Sequence, residues 1–426
     1  MSIDNKVIMA ILSYAGMNNR AADTKLPEPS QNNPFGKYRN AVNVDFDNEG
    51  HLLFPRIGST LAYSGTECHS WYEYEDSLGY GLFVDGTSLK RLNLDDTATT
   101  LKTVNPLPMS YCVLNGNIYF SNGSDTGIYV NGTIKEWGVE VPPMQPLATA
   151  TATGGMYAGE YRVVITWLTE ISNGHYEESG TGNSTRVTVA DGGGIRLSDF
   201  PLVPSTIDSV AVYVSSVNSQ DLYLYDEYPA NISEVFIRYN VGTVKLDTQF
   251  GFKVRPKLGL TVHYGRVYWI DGNFIYYTEA QHYGLQRAGS YFHYESPITN
   301  IISVPGALFI TTETGIYRIS GIDSEQPTNT QVKTYGAPEG SYFQDFDDTF
   351  AYLISHNGFC KISSEGIVEI AQNDIAFPVF MKGSAAVVEH QGYQKLIAVM
   401  QEGTVSTLQH PEYTANEVAR GNASGL

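Results

Sequence analysis

A short strand–turn–strand signature recurs along this chain, breaks off once, and resumes. It reads Leu114-Asn115-Gly116-Asn117-Ile118-Tyr119, then Ile270-Asp271-Gly272-Asn273-Phe274-Ile275-Tyr276. Looser copies are Val84-Asp85-Gly86-Thr87-Ser88-Leu89, Thr314-Gly315-Ile316-Tyr317-Arg318-Ile319 and His356-Asn357-Gly358-Phe359-Cys360-Lys361-Ile362. An Asn-Gly or Asp-Gly pair between apolar runs marks a tight hairpin, because its turn needs positive φ. Hairpins returning about every 40 residues predict blades of a β-propeller. Two units before the break and about four after it give six blades, or seven if residues 41–59 complete another. The expected fold class is all-β: a propeller carrying an inserted immunoglobulin- or fibronectin-like β-sandwich.

The break is bounded by proline. Val141-Pro142-Pro143-Met144-Gln145-Pro146 cannot sit in a central strand. Beyond it, Tyr161, Val163, Ile165 and Trp167 alternate on one face, and Val210, Val212 and Val214 do the same. About seven strands in about 100 residues is a sandwich count. Arg255-Pro256-Lys257 marks the return to the blade rhythm. The expected organisation is an extended N-terminal arm (1–40), a first propeller part (41–145), the inserted sandwich (146–255), a second propeller part (256–403) and a flexible C-terminal tail (404–426). Closure predicts that the N-terminal hairpin around Val42, Val44 and Phe46 lies beside a strand at Lys395–Met400. Helical periodicity is absent, with room for short helical turns only near Ala280–Leu285.

Charge and cysteine usage exclude several function classes. The 26 basic and 45 acidic residues leave a net charge of −19 without a Lys/Arg cluster. Tight nucleic-acid binding through phosphates needs such a cluster. An acidic wall can instead let DNA slide past. Cys68, Cys112 and Cys360 are far apart and odd in number, so buried free thiols are expected, not a zinc site or a disulfide framework. The apolar run at 7–12 is too brief for a signal peptide or membrane span.

No residue carries a catalytic, cofactor-binding or metal-binding assignment, and the protein is expected not to be an enzyme. The nine histidines make no HxxxH or HExxH pair. His69, His263 and His293 read as packed or hydrogen-bonded. Asp45-Phe46-Asp47-Asn48-Glu49-Gly50 begins like a calcium loop, but its twelfth position is Arg56, where a bidentate Glu belongs. Asp345, Asp347 and Asp348, and Glu177 with Glu178, are candidate acid/base carboxylates. Neighbours in a strand point to opposite faces, which argues against such pairs.

An ordered set of motifs resembles one family. Gly16-Met17-Asn18-Asn19-Arg20 comes first, then Arg39-Asn40-Ala41-Val42-Asn43-Val44-Asp45, Gly50-His51-Leu52 and Arg56-Ile57-Gly58. His69-Ser70-Trp71 precedes the first blade, the Asn115-Gly116 hairpin follows, and Tyr157-Ala158-Gly159-Glu160-Tyr161-Arg162-Val163 opens the insert. From about residue 10 to 400 the chain resembles the nozzle, or tail-hub, proteins of short-tailed bacteriophages, also known as packaged-DNA stabilisation proteins. The resemblance implies a virion tail location after synthesis in the host bacterial cytoplasm. It implies a homo-hexameric ring below portal and adaptor that extends the DNA channel, helps retain and eject the genome, and anchors fibres or spikes. Double-stranded DNA would pass without tight binding, and neither a cofactor nor a membrane anchor is expected. The competing expectations are a carbohydrate-binding or carbohydrate-cleaving propeller, and a bacterial surface propeller, which the missing leader disfavours.

Overall fold

In a computed structural model, the described residues are 13–17, 35–38, 44–46, 53–55, 61–172, 174–239, 242–321, 327–344, 349–370, 380–390 and 393–402. All regular elements among them are β-strands. They divide into two compact units, Tyr63–Glu295 and Met1–Ala62 with Ser296–Leu426.

The unit Tyr63–Glu295 holds three four-stranded antiparallel meanders. The first is Cys68–Glu73, Gly79–Asp85, Ser88–Asn93 and Ala98–Thr103. The second is Ser110–Leu114, Asn117–Ser121, Thr126–Val130 and Thr133–Lys135. The third is Leu258–His263, Arg266–Asp271, Phe274–Tyr277 and Tyr291–His293. In the second, Asn115 and Gly116 take φ of 51° and 75°, so Leu114 pairs with Asn117. That turn fixes the register, and the register fixes the faces. Ile118 and Phe120 pack on Leu82, Val84 and Leu89 of the first meander. Tyr119, between them, packs on Val267 and Trp269 of the third. Successive meanders therefore stack face to face, although about 120 residues of chain separate the second from the third.

Those intervening residues form a two-sheet sandwich. Leu147–Met156, Gly193–Ser198 and Val235–Ile237 make a three-stranded sheet. Gly159–Ser172, His175–Glu178, Thr185–Val189, Ser209–Ser215 and Leu222–Pro229 make a five-stranded one. Tyr161, Val163, Ile165 and Trp167 share one core with Val210, Val212 and Val214 and with Ile195, Leu197, Val235 and Ile237 opposite. The alternation read from the sequence is thus the buried face. The other face of the five-stranded sheet is also covered, with Val164, Ala211 and Tyr213 packing on Leu222 and Leu246.

The unit Met1–Ala62 with Ser296–Leu426 holds two further meanders. Ile298–Val304, Ala307–Thr312, Ile316–Ser320 and Thr328–Lys333 form one. Tyr342–Gln344, Ala351–Ser355, Gly358–Ser363 and Gly366–Ile370 form the other. Their shared core includes Ile302, Phe309, Leu353, Cys360 and Ile362. Val44–Phe46 pairs antiparallel with Leu53–Pro55, as the Asp-Asn-Glu-Gly turn predicts.

Within the N-terminal arm, Ser13–Met17 pairs in parallel with Phe35–Tyr38. Three expectations need correction. Among the described residues, Tyr393–Glu402 pairs with Phe380–His390 and not with the N-terminal hairpin. No helical turn occupies 280–285; Leu285–Gln286 is instead extended and pairs with Phe252–Lys253. Cys112 and Cys360 are buried thiols, but Cys68 is exposed at the start of its strand. The tail 404–426 lies outside the described residues.

Candidate functional site at the root of the sandwich

Two short segments carry the chain from the meanders to the sandwich and back. On the way out, Trp137 enters the core between the second and third meanders, and its Nε1–H donates to Tyr283 O at 2.8 Å. Gly138 follows at φ 78°, and a Cβ there would stand 2.7 Å from Gly284 O. A side chain is excluded both by that approach and by the left-handed backbone. Val139 then joins the sandwich core. The exchange is mutual, because Ile171 of the sandwich strand Gly159–Ser172 is buried in the meander core.

The loop 278–290 grips both segments. It holds the outgoing one through Tyr283 O. It holds the returning one through Val254 N, which donates to Gly284 O at 3.1 Å, and through the Phe252–Lys253 pairing. Arg287 donates to Asp247 O at 3.0 Å, and His282 Nε2 lies 3.0 Å from Asp247 Oδ2. The Tyr283 ring meets that of Tyr119 edge-on at 6.4 Å.

Glu177 sits at the centre of this root. Its strand, His175–Glu178, pairs with Gly159–Ser172 and sets Glu177 opposite Thr169. The side chain is buried, with Oε2 accepting the Gly138 N–H at 2.9 Å. Oε1 has no hydrogen-bond partner among the described residues. Burial pushes the carboxyl from 4.5 to about 7, against the smaller opposing pull of the Gly138 N–H and the Lys253 charge. Lys253 Nζ is itself shared with Glu136 at 3.2 Å and Glu140 at 4.0 Å. Glu178 points to the other face, where Oε1 accepts from Thr166 Oγ1 at 2.5 Å. Burial raises its pKa as well. The two carboxylates therefore do not converge on one cleft.

The remaining sequence candidates scatter. His69 Nδ1 meets Ser70 Oγ at 2.8 Å. His263 is buried, its pKa lowered by desolvation to about 4, with the Tyr264 ring 4.5 Å away. His293 is exposed and packs on Phe274 at 4.6 Å. Asp45 lies on the short N-terminal hairpin, while Asp47 and Glu49, like Asp345, Asp347 and Asp348, fall outside the described residues. Among the described residues, no three His, Cys, Asp or Glu side chains gather as a metal site. Asp85, a turn residue in the sequence reading, is a structural hub. Lys90 Nζ at 2.7 Å, the Glu67 and Thr66 N–H groups and Tyr63 Oη hold it well below the usual carboxylate range. No local sequence signal marks Tyr283, Lys253 or Gly284, which reach the root only through the fold.

The sandwich also displays apolar side chains outward. Leu147, Tyr157, Phe236 and Tyr239 are exposed, and Leu202 is 94% exposed. Arg238 lies over the Phe236 ring at 5.6 Å, beside the Arg196–Glu234 ion pair.

No family model and no curated protein sequence matches this chain. Solved structures similar to it at a low level include the following two. One is the extracellular domain of a putative one-component system from B. thetaiotaomicron, at 11% identity and a TM-score of 0.25. The match covers 88% of this chain but 51% of that one, so the chain spans about half its length. The other is Sqt1 of Saccharomyces cerevisiae, at 9% identity and a TM-score of 0.18, covering 68% of this chain and 79% of that one.

Proposed function

We propose that this protein is a non-enzymatic structural subunit of a short phage tail. In this reading the meanders are propeller blades forming the body of a nozzle, and the inserted sandwich is a platform. Copies assemble into a ring that continues the DNA channel below portal and adaptor, helps retain and eject the genome, and anchors fibres or spikes. The observation that carries the reading is the way the sandwich is mounted. It interrupts two meanders that pack directly on each other, and it is fastened at a root where the two cores exchange Val139 and Ile171. A domain rooted through exchanged core residues is suited to transmit load, and its outward Leu147, Leu202 and Phe236 supply apolar contact area for a neighbour. The ordered motifs from Gly16 to Val163 support the reading through their resemblance to nozzle proteins. A charge of −19 per copy suits a conduit that DNA must leave.

Co-sedimentation with purified portal–adaptor rings tests the proposal. The full chain should co-migrate with those rings and show no affinity for duplex DNA at physiological salt. Free protein alongside unoccupied rings would sink it.

A further inference from the structure

The root of the sandwich is built around a group that changes charge. We propose that Glu177 is a proton-operated bolt: as the neutral acid it holds the sandwich against the second and third meanders, and its ionisation loosens that attachment.

Geometry carries the inference. Glu177 projects from the sandwich strand His175–Glu178 to the place where Gly138 and Gly284 nearly touch. A Cβ on Gly284 would stand 2.6 Å from Glu177 Oε2, so the carboxyl is walled in by backbone of the outgoing segment and of the 278–290 loop. One oxygen accepts the Gly138 N–H, and the other faces no donor among the described residues. A buried carboxylate needs more than one donor to remain charged without penalty, whereas the neutral acid is much less costly to enclose. The charged and titratable groups facing it are few. The second meander offers Tyr119, and the 278–290 loop offers Tyr283. The return strand offers Lys253, whose charge is divided with Glu136 and Glu140 of the outgoing segment. Burial pushes the Tyr119 phenol well above its ordinary value. Among the described residues, Lys253 is the cation that acts on Glu177.

The direction of the effect follows from linkage. The carboxyl titrates higher in the closed root, at about 7, than its reference value of 4.5. Its contribution to closure is therefore complete below about 4.5 and is lost as pH rises toward 7. One proton is released per opening within that window. The opening equilibrium should rise about tenfold per pH unit there and level off above it.

Hydrogen exchange of the full chain between pH 4.5 and 8.5, corrected for intrinsic rates, reads the root at the Gly138 and Gly284–Gln286 amides. The share of Glu177 in that loss of protection should be about tenfold per unit up to about pH 7, where it levels off. Glu177→Gln should reduce that slope by one proton. Glu178 faces Thr166 and Tyr213 and keeps its own contribution in the variant. Lys253→Met removes the opposing cation and should move the plateau to higher pH. If Glu177→Gln does not fold, the wild-type profile and the Lys253→Met displacement still decide. A flat wild-type profile, an unchanged slope in Glu177→Gln, or an unmoved plateau in Lys253→Met would each overturn the proposal.

Discussion

At the scale of single residues, the hairpins depend on backbone that only a few side chains tolerate. Gly116 holds φ 75° with open space where a Cβ would point. Gly116→Ala should therefore cost about 1 kcal/mol through backbone alone. Gly289 has equally open space and no positive φ, so Gly289→Ala should be neutral or slightly stabilising. Chemical denaturation of the two variants checks this difference. Phe250 is left-handed at φ 65° while 75% exposed, so it stores strain without a burial return. Phe250→Asn should stabilise the protein by up to about 1 kcal/mol, read as a raised Tm. The Asn115-Gly116 turn was legible because its residue types state their φ. The equivalent turn at Tyr264-Gly265, with φ of 44° and 67°, was not, since tyrosine carries no turn signal.

At the scale of elements, both faces of the second meander are buried, and this follows from apolar residues at successive positions. Ile118, Tyr119 and Phe120 run without a polar break, and each is almost wholly buried. The sandwich strand Gly159–Ser172 is read the same way, with Ile165 at its centre. Ile165→Ala should cost about 3 kcal/mol, because the packed neighbours cannot close the void. Trp137→Phe keeps most of the packing but leaves Tyr283 O without its donor, and should cost about 1–2 kcal/mol. Equilibrium unfolding by tryptophan fluorescence and circular dichroism measures both. Strands with strong alternation and Gly-marked turns were legible in the sequence. The parallel pairing of Ser13–Met17 with Phe35–Tyr38 was not, because no local turn specifies a partner about 20 residues away. The root of the sandwich was equally hidden. Glu177 and Glu178 were visible as neighbours on opposite faces, but the groups that enclose Glu177 come from residues 138, 253 and 284.

At the scale of the whole molecule, the proposed function depends on assembly. Residues 1–40 carry Pro27, Pro29 and Pro34 among many polar side chains, and we propose that this arm contacts neighbouring subunits or the adaptor. Their removal should weaken ring formation more than it weakens the fold; unchanged assembly of the truncated chain would refute that role. The most direct test of the central claim is the mass and symmetry of the full-length protein. Native mass spectrometry and negative-stain imaging would record them, alone and with portal–adaptor rings. A closed ring is expected, six-fold by the family resemblance, with a channel wide enough for duplex DNA. A chain that stays monomeric beside those rings, yet binds or cleaves a polysaccharide, would contradict it.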